Sequence, residues 1–477
     1  RLLTHLLPAD VQQTIKADVE DDFNFTDELR SFVRMAQRKE FGPSTGSLVA
    51  AAEQRNIPWL RLNEYSLVQF GHGKYQQRIQ ATITSETKHI AVEISCDKED
   101  THNLLNDLGL PVPQQTVVYG EKQAARAANK MGFPVVVKPL NANHGRGVSI
   151  NLTTDEEVIT AFVEAQKHGT GKAVLIESFI TGYDHRMLVV NNELVAVAKR
   201  VPGHVVGDGN SNIEELIDIV NSDPRRGIGH EKVLTRLELD SQAERLMDEA
   251  NYNKQTILDK DQIFFLRSTA NLSTGGTAID VTDIVHPDNR DMAVRSIKAI
   301  GLDIGGVDFL TDDISKSYKE IGGGICECNA APGFRMHVAP SEGTPRDVAG
   351  KVIDMLFPAG TNARIPIAAI TGTNGKTTCA HLLGQLLNEL GLSCGLIGTL
   401  GCGMPSQLVD TGMTTPDVFA VHSNLNLIER QGGQAVAMEV SSHGLDQGRV
   451  DGVHFHSALI TNLTRDHLDY HGDMQAY

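Results

Sequence analysis

The sequence contains no apolar run approaching the roughly 18 residues of a membrane span, and no signal peptide is visible at its start. Neither a bilayer-spanning nor an exported chain is expected. Cysteine is scarce as well. The six residues, Cys96, Cys326, Cys328, Cys379, Cys394 and Cys402, form no C-x-x-C pair and no zinc-type spacing. Buried free thiols in a reducing cytoplasm are therefore expected. Positive charge is in deficit, with 43 Lys and Arg against 60 Asp and Glu and a formal net charge of −17. That balance argues against the basic footprint of a nucleic-acid binder, yet leaves room for a local basic pocket around an acidic ligand. The chain opens on Arg1 and stops at Tyr477 directly after a motif, which points to a fragment.

A hydrophobic share of 40% and a charged share of 22% describe an ordinary globular chain, and 477 residues suggest about three domains. The expected class is multidomain α/β. Residues 1–92 read as a small N-terminal α+β domain: a helix over 19–38, a Gly-Pro turn, a helix over 46–55, and short strands near Trp59, over 66–69 and over 78–83. Residues 93–358 alternate strands and helices. Helix patterns at 101–108 and 123–131 are each stopped by Gly and Pro, and a third covers 288–300. Residues 201–260 break that rhythm with G-D-G-N-S-N, a helix over 213–220 and D-P-R-R-G, and read as an insertion or lid over a site. A Pro-Ala-Gly-Thr-Asn linker then leads into 359–477, a third and truncated domain.

Several places in the middle region set a strand beside groups suited to a nucleotide. Val135-Val136-Val137-Lys138-Pro139 delivers Lys138 into a Gly-rich turn, where backbone N–H groups approach phosphates and the lysine adds a point charge. The same letters also suit a plain hairpin. The run A-V-L-I-E-S-F-I over 173–180 is a buried strand interrupted by Glu177. Its end offers apolar Phe179 and Ile180 as an adenine slot, with Asp184 on the ribose; the alternative is an ordinary strand with a solvent-facing glutamate. In I-G-G-G-I-C-E-C-N-A-A-P-G-F-R-M-H, over 321–337, residues two apart on a strand lie roughly 6.6 Å along one face. Glu327 and Asn329 then point together, with Cys326 and Cys328 opposite. Paired oxygen ligands suit Mg²⁺, and Asp308 in G-V-D-F-L is a candidate third from a neighbouring strand. An edge strand with a solvated Glu327 fits as well. Between these segments, R-S-T-A-N-L-S-T-G-G over 267–276 gathers hydroxyls, an amide and two glycines behind Arg267 as an anion cradle.

The strongest local pattern lies in the third region. A strand over 365–370 runs into Thr371-Gly372-Thr373-Asn374-Gly375-Lys376-Thr377-Thr378, followed by a helix apolar at Leu382, Leu383, Leu386, Leu387 and Leu390. This is the phosphate-loop arrangement, in which loop N–H groups and the positive helix end face the anion. Ile370 stands where the commoner form has its first glycine. Buried strands over 435–440 and 459–463 end at Glu439 and shortly before His467. A carboxylate and a histidine at parallel strand ends beside such a loop are natural Mg²⁺ ligands.

Residues from about 42 to 370 resemble the cyanophycin synthetase family, which extends an aspartate backbone and decorates it with arginine. The matching text is G-P-S-T-G, R-L-N-E-Y-S-L-V-Q-F-G-H-G, L-R-S-T-A-N-L-S-T-G-G-T-A-I-D, E-C-N-A-A-P-G-F-R-M-H and R-I-P-I-A-A-I-T-G-T-N-G-K-T-T. The resemblance implies an ATP-grasp domain that activates the polymer's C-terminal carboxylate as an acyl phosphate and joins aspartate to it. By position, Lys98, Lys138, Glu177, Phe179, Ile180 and Asp184 would hold ATP, and Asp308, Glu327 and Asn329 would hold Mg²⁺. His144, Arg186 and Ser273 would attend the phosphates and the reacting carboxylate as catalytic groups.

The tail is similar instead to the Mur ligase that adds the third residue of the cell-wall peptide. The residues that carry this likeness are T-T-P-D over 414–417, M-E-V-S-S-H-G-L-D-Q-G-R over 438–449 and T-N-L-T-R-D-H-L-D-Y-H-G over 461–472. It implies a central ATP-binding domain in which Lys376 and Thr377 serve ATP and Mg²⁺, and Glu439 and His467 bind Mg²⁺. Thr414, Thr415, Ser441 and Arg449 would touch a UDP-muramyl substrate.

The expected function is an ATP-dependent carboxylate–amine ligase using ATP and Mg²⁺. Its expected partners are the aspartate/arginine polymer cyanophycin and free amino acids, in a cytoplasmic homo-oligomer with no nucleic-acid or membrane partner. The alternatives are a cell-wall tripeptide ligase fused to an ATP-grasp segment, a glutathione-type ligase suggested by V-V-G-D-G and D-P-R-R-G, and a module that anchors an acidic polymer without turnover.

Overall fold

The computed structural model describes residues 23–140, 147–169, 173–228 and 232–477. The chain divides into two compact units. One holds the described residues up to Arg55 with Arg61–Val68 and Arg78–Pro358; the other holds Asn56–Leu60, Gln69–Gln77 and Ala359–Tyr477. Residues 56–60 and 69–77, read from sequence with the N-terminal domain, thus group with the C-terminal unit.

In the first unit the N-terminal helix is Phe25–Lys39, opened by Asn24, whose side chain accepts from the N–H groups of Thr26 and Asp27. The next helix, Pro43–Gln54, starts on a proline and buries Leu48, Ala51 and Ala52. Two antiparallel sheets follow. The smaller runs in the order Gln115–Val118, Val174–Ser178, Val135–Pro139, Ser149–Leu152. Helices Glu121–Met131 and Asp155–His168 share its core of Val118, Ala128, Val137, Phe162 and Ile176. Thr154 and Glu157 form a reciprocal cap that fixes where the second helix begins.

The larger sheet runs Thr277–Asp280, Glu193–Val201, Tyr183–Val190, Ile304–Thr311, Gly324–Asn329. Strand alternation sorts it into two faces. Met187, Val189, Val197, Val307, Phe309 and Cys328 join the core shared with helices Lys98–Asp107 and Pro287–Ile300. Asp184, Arg186, Arg200, Asp308 and Glu327 fall on the other face by register. Two adjacent glycines thin the strand Ile304–Thr311 on both sides. A Cβ on Gly305 would run into Ile297 of the covering helix, and one on Gly306 would meet Arg186 Cδ at 3.1 Å. The same Cβ would also meet Pro332 Cβ at 2.8 Å, so Gly306 leaves room for both side chains.

Residues 201–260, expected as an uneven polar lid, fold around an apolar core of Val205, Ile213, Ile217, Leu237 and Leu258, joined by Leu266 just beyond the segment. Their polarity reads as irregular because the two helices, Ile213–Asn221 and Ser241–Glu249, are only 9 residues each, with one buried stripe apiece.

The second unit contains a sheet ordered Gly401–Gly403, Cys394–Gly398, Ala435–Glu439, Ile367–Thr371, Ser457–Ile460. All its pairs are parallel except the first. Helix Lys376–Glu389 packs through Leu383 and Leu387, whereas Leu382, Leu386 and Leu390 are exposed, so three of the five leucines of the expected apolar stripe face outward. The thiols also differ from expectation: Cys328, Cys394 and Cys402 are buried, but Cys96 and Cys326 are exposed. Among the described residues no helix is long and apolar enough to cross a membrane.

Candidate active site

In the first unit, Lys138 and Glu177 lie on neighbouring antiparallel strands and form an ion pair at 2.7 Å with both side chains largely buried. They line a cleft with Lys98, His102, Cys326 and Glu327. Asp97 caps the helix that starts at Lys98, which fixes the lysine at the cleft edge. Burial, reinforced by the neighbouring Lys138, pushes the Lys98 ammonium below the usual lysine range, against the pull of Glu327 and Glu177. Burial likewise lowers His102. Two lysines and two carboxylates therefore converge from one helix and two sheets. Beyond the Val174–Ser178 strand, the Phe179 N–H donates to the Pro134 carbonyl at 3.2 Å, and Ile180 lies directly against Gly324.

Beside the cleft the polar face of the larger sheet carries a buried ionic network. Arg186 grips Asp308 through Nε and through Nη2 at 3.1 Å. Arg200 donates to both oxygens of Asp184 at 2.7 Å and reaches Asp308 at 3.0 Å. Asp184, expected at a ribose, is thus held by Arg200, and Asp308 is shared between two guanidiniums. Burial leaves Asp184 above the usual carboxylate range despite Arg200. Burial pushes Asp308 the same way, but Arg186 and Arg200 outweigh it and hold that carboxyl low. The sequence reading missed Arg200. Register places it there: it stands two residues beyond Ala198, which pairs with Arg186, so alternation sets it on that face, and that pairing is not legible along the chain.

Register sets Glu327 opposite Asp308 and Asn329 opposite Gly306. Glu327 and Asn329 share a face, as expected, and Cys328 is buried on the other side. The register shifts between Asp308 and Phe309, so Cys326 falls at a bulge and opens into the cleft instead of facing inward with Cys328. Among the described residues no three His, Cys, Asp or Glu side chains gather as a metal cage. The donors nonetheless fit Mg²⁺, which keeps water and phosphate ligands and needs only one or two carboxylates. Asn329 Nδ2 is buried without a partner, so its amide is free to turn its oxygen toward an ion beside Glu327.

Ser273 is exposed on the turn Leu272–Thr274. Arg267 does not stand behind that loop as expected. Its guanidinium turns into the insertion, pairing with Asp240 at 3.1 Å and donating to the carbonyls of Glu238 and Leu266. His144 lies outside the described residues.

In the second unit the phosphate loop leaves the strand Ile367–Thr371 and enters the helix at Lys376. Gly372 adopts φ +122°, and a Cβ there would meet the Asn462 carbonyl at 2.7 Å. Gly375 is left-handed at the helix N-cap. Thr373 and Asn374 are tied to the 462–464 segment by their N–H groups and the Thr373 hydroxyl. Lys376 Nζ donates to the carbonyls of Gly372 and Thr373 at 2.7 and 3.1 Å, and Thr378 sits in the first helical turn.

Thr377 Oγ1 donates to Glu439 at 2.8 Å, and Thr399 adds its N–H and hydroxyl to the same carboxylate at 3.0 Å each. Glu439 is only 1% exposed. Thr399 was missed; it follows the end of a parallel strand, where such sites form. Thr414 bonds Thr399, while Thr415 bonds the Glu439 carbonyl and accepts from the Ser441 N–H. Arg449 donates to the Thr415 carbonyl at 2.9 Å. These four expected substrate groups are thus brought together. His467 sits apart from that chain of bonds, its ring edge-on to His443 at 4.8 Å and paired with Asp466.

Comparison with known proteins gives two domain matches: a RimK-like ATP-grasp domain over residues 80–215 and a Mur ligase middle domain over 370–477. The chain is 43% identical to the cyanophycin synthetase of Synechocystis sp. over 452 residues, 94% of this chain and 51% of that protein. It is 49% identical to that of Crocosphaera subtropica over 375 residues, 78% of this chain and 43% of that one. The chain therefore spans about half the length of the curated relatives it matches. A crystal structure of a bifunctional glutathione synthetase from Pasteurella multocida superposes with a TM-score of 0.55 at 30% identity, covering 67% of this chain and 45% of that one.

Proposed function

We propose that this chain, which carries a RimK-like ATP-grasp domain and a Mur ligase middle domain and is similar to cyanophycin synthetases over nearly its whole length, is an ATP-dependent carboxylate–amine ligase that lengthens an aspartate polymer. The observation that carries the reading is the convergence of Lys98, Lys138, Glu177 and Glu327 on one cleft beside the Arg186–Asp308 pair. In the proposed reaction the polymer's terminal carboxylate takes the γ-phosphoryl group of ATP, releasing ADP. The amine of aspartate then attacks the acyl phosphate carbonyl and phosphate leaves as the peptide bond forms. Lys98 and Lys138 lower the negative potential around the phosphates, and Arg186 and Ser273 hold the reacting carboxylate. Glu327 and Asn329 would hold Mg²⁺, which neutralises phosphate charge when bound; Asp308 would join them only by giving up its bonds to Arg186 and Arg200.

The reading divides the chain at residues 92/93 and 358/359, sets it in the cytoplasm, and gives the phosphate-loop unit a second ligation that adds arginine to aspartate side chains. It is tested by ADP release with an aspartate-backbone primer and free aspartate, both of which should be required. Lys138→Ala should abolish that release. Lys376→Ala should leave it nearly unchanged while halving nucleotide stoichiometry. The superposition on a bifunctional glutathione synthetase favours a second reading, a glutathione-type ligase. Turnover with thiol-containing substrates and none with aspartate would establish it in place of the first.

A further inference from the structure

One charge of the inserted residues 201–260 is spent on the loop that carries Ser273. Arg226 is 8% exposed, and its Nη1 donates to the Thr235 carbonyl within the insertion and to the Gly275 carbonyl outside it, the latter at 3.2 Å. Burial lowers the pKa of this guanidinium, so its charge is kept in an unfavourable setting.

The peptide group that accepts at Gly275 continues as the Gly276 N–H, which donates to the Asn271 carbonyl at 3.1 Å. Asn271 O also receives the Thr274 N–H at 3.2 Å and the Thr274 hydroxyl at 3.1 Å. A cation on one end of such a chain polarises the next donor, so the whole six-residue loop is tightened from Arg226. Shape reinforces the clamp. Gly275 is left-handed with Leu237 of the insertion seated on it, and a Cβ on Gly276 would meet the carbonyls of Asn271 and Val201 at 2.7 and 2.9 Å. Leu272 packs on Ala198, the residue paired opposite Arg186.

We propose that Arg226 is a positioning residue: it holds the Asn271–Gly276 loop so that Ser273 meets the acceptor carboxylate beside Arg186, and the insertion thereby sets affinity for the polymer end and not for ATP. This rests on the ligase reading above. The test compares wild type, Arg226→Gln and Arg226→Lys in full-chain protein by two readouts.

Steady-state ADP release should show KM for the aspartate primer raised about tenfold in Arg226→Gln, KM for MgATP within about twofold, and partial rescue in Arg226→Lys. Hydrogen exchange should be faster at the Thr274 and Gly276 amides in Arg226→Gln, with protection elsewhere in the insertion unchanged. Unchanged exchange at those two amides overturns the clamp whatever the activity shows. Equal rises in both KM values, or loss of protection throughout the insertion, also overturn it, since Arg226 would then be merely structural. Absence of aspartate-dependent release in wild type would refute the ligase reading, and the exchange result would still decide the clamp.

Discussion

Replacing Arg200 by Met should cost the first unit about 3 kcal/mol at neutral pH, the low end of what removing one partner from a buried ion pair costs. The Arg200 side chain is only 9% exposed and bonds both oxygens of Asp184 and one of Asp308. Met keeps most of the volume, so the loss is electrostatic and not a cavity effect. Asp308 retains Arg186, but Asp184 loses the guanidinium that offsets its burial. The low end is appropriate because the Asp184 side chain keeps 27% of its exposure. As pH falls, the orphaned carboxyl takes a proton in the folded variant before it does in the unfolded chain. The variant then regains stability relative to wild type, by about 1.4 kcal/mol for each pH unit below its own pKa, until Asp184 of the wild type, itself held above the usual range by burial, is protonated too. Hydrogen exchange at the Met187 and Val307 amides, in the core strands, follows this unit separately from the other. A penalty under about 1 kcal/mol, or one that grows between pH 7 and 5, would refute the reasoning.

Glu327→Gln should raise the Mg²⁺ concentration needed for ADP release by about tenfold, while Cys328→Ser changes it little, because only Glu327 shares the face of Asn329; equal losses contradict the face assignment. Lys98, held below the ordinary lysine range by burial, sheds its proton earlier as pH rises. Calorimetric MgATP affinity of the first unit should therefore weaken on the alkaline side, and a Lys98→Met protein should lack that limb. Gly398→Ala should push Glu439 off Thr377, since the new Cβ overlaps the carboxylate. Expected are a stability loss of about 1–3 kcal/mol in the second unit and weaker nucleotide binding at the phosphate loop. Aspartate-dependent ADP release by that variant should match wild type.

Much of this protein was legible along the chain because the relevant physics is local. The phosphate loop is one continuous turn whose glycines and helix end are adjacent in sequence, so Gly372 to Thr378 were readable as letters. The shared face of Glu327 and Asn329 follows from strand alternation alone. Lys138 and Glu177 could each be placed on a strand, but their ion pair depends on which strands lie side by side, and alternation is silent on that. For the same reason sequence left Asp184 and Asp308 as free ligands, whereas sheet register gives both to Arg200. The bulge that turns Cys326 outward is a one-residue slip between partners, invisible from either strand. Arg267, expected behind the Ser273 loop, turns into the insertion, and Arg226, far from that loop in sequence, is the arginine that reaches it. Sequence separation says nothing of which carbonyl a long side chain will reach; only the folded path of the backbone decides it.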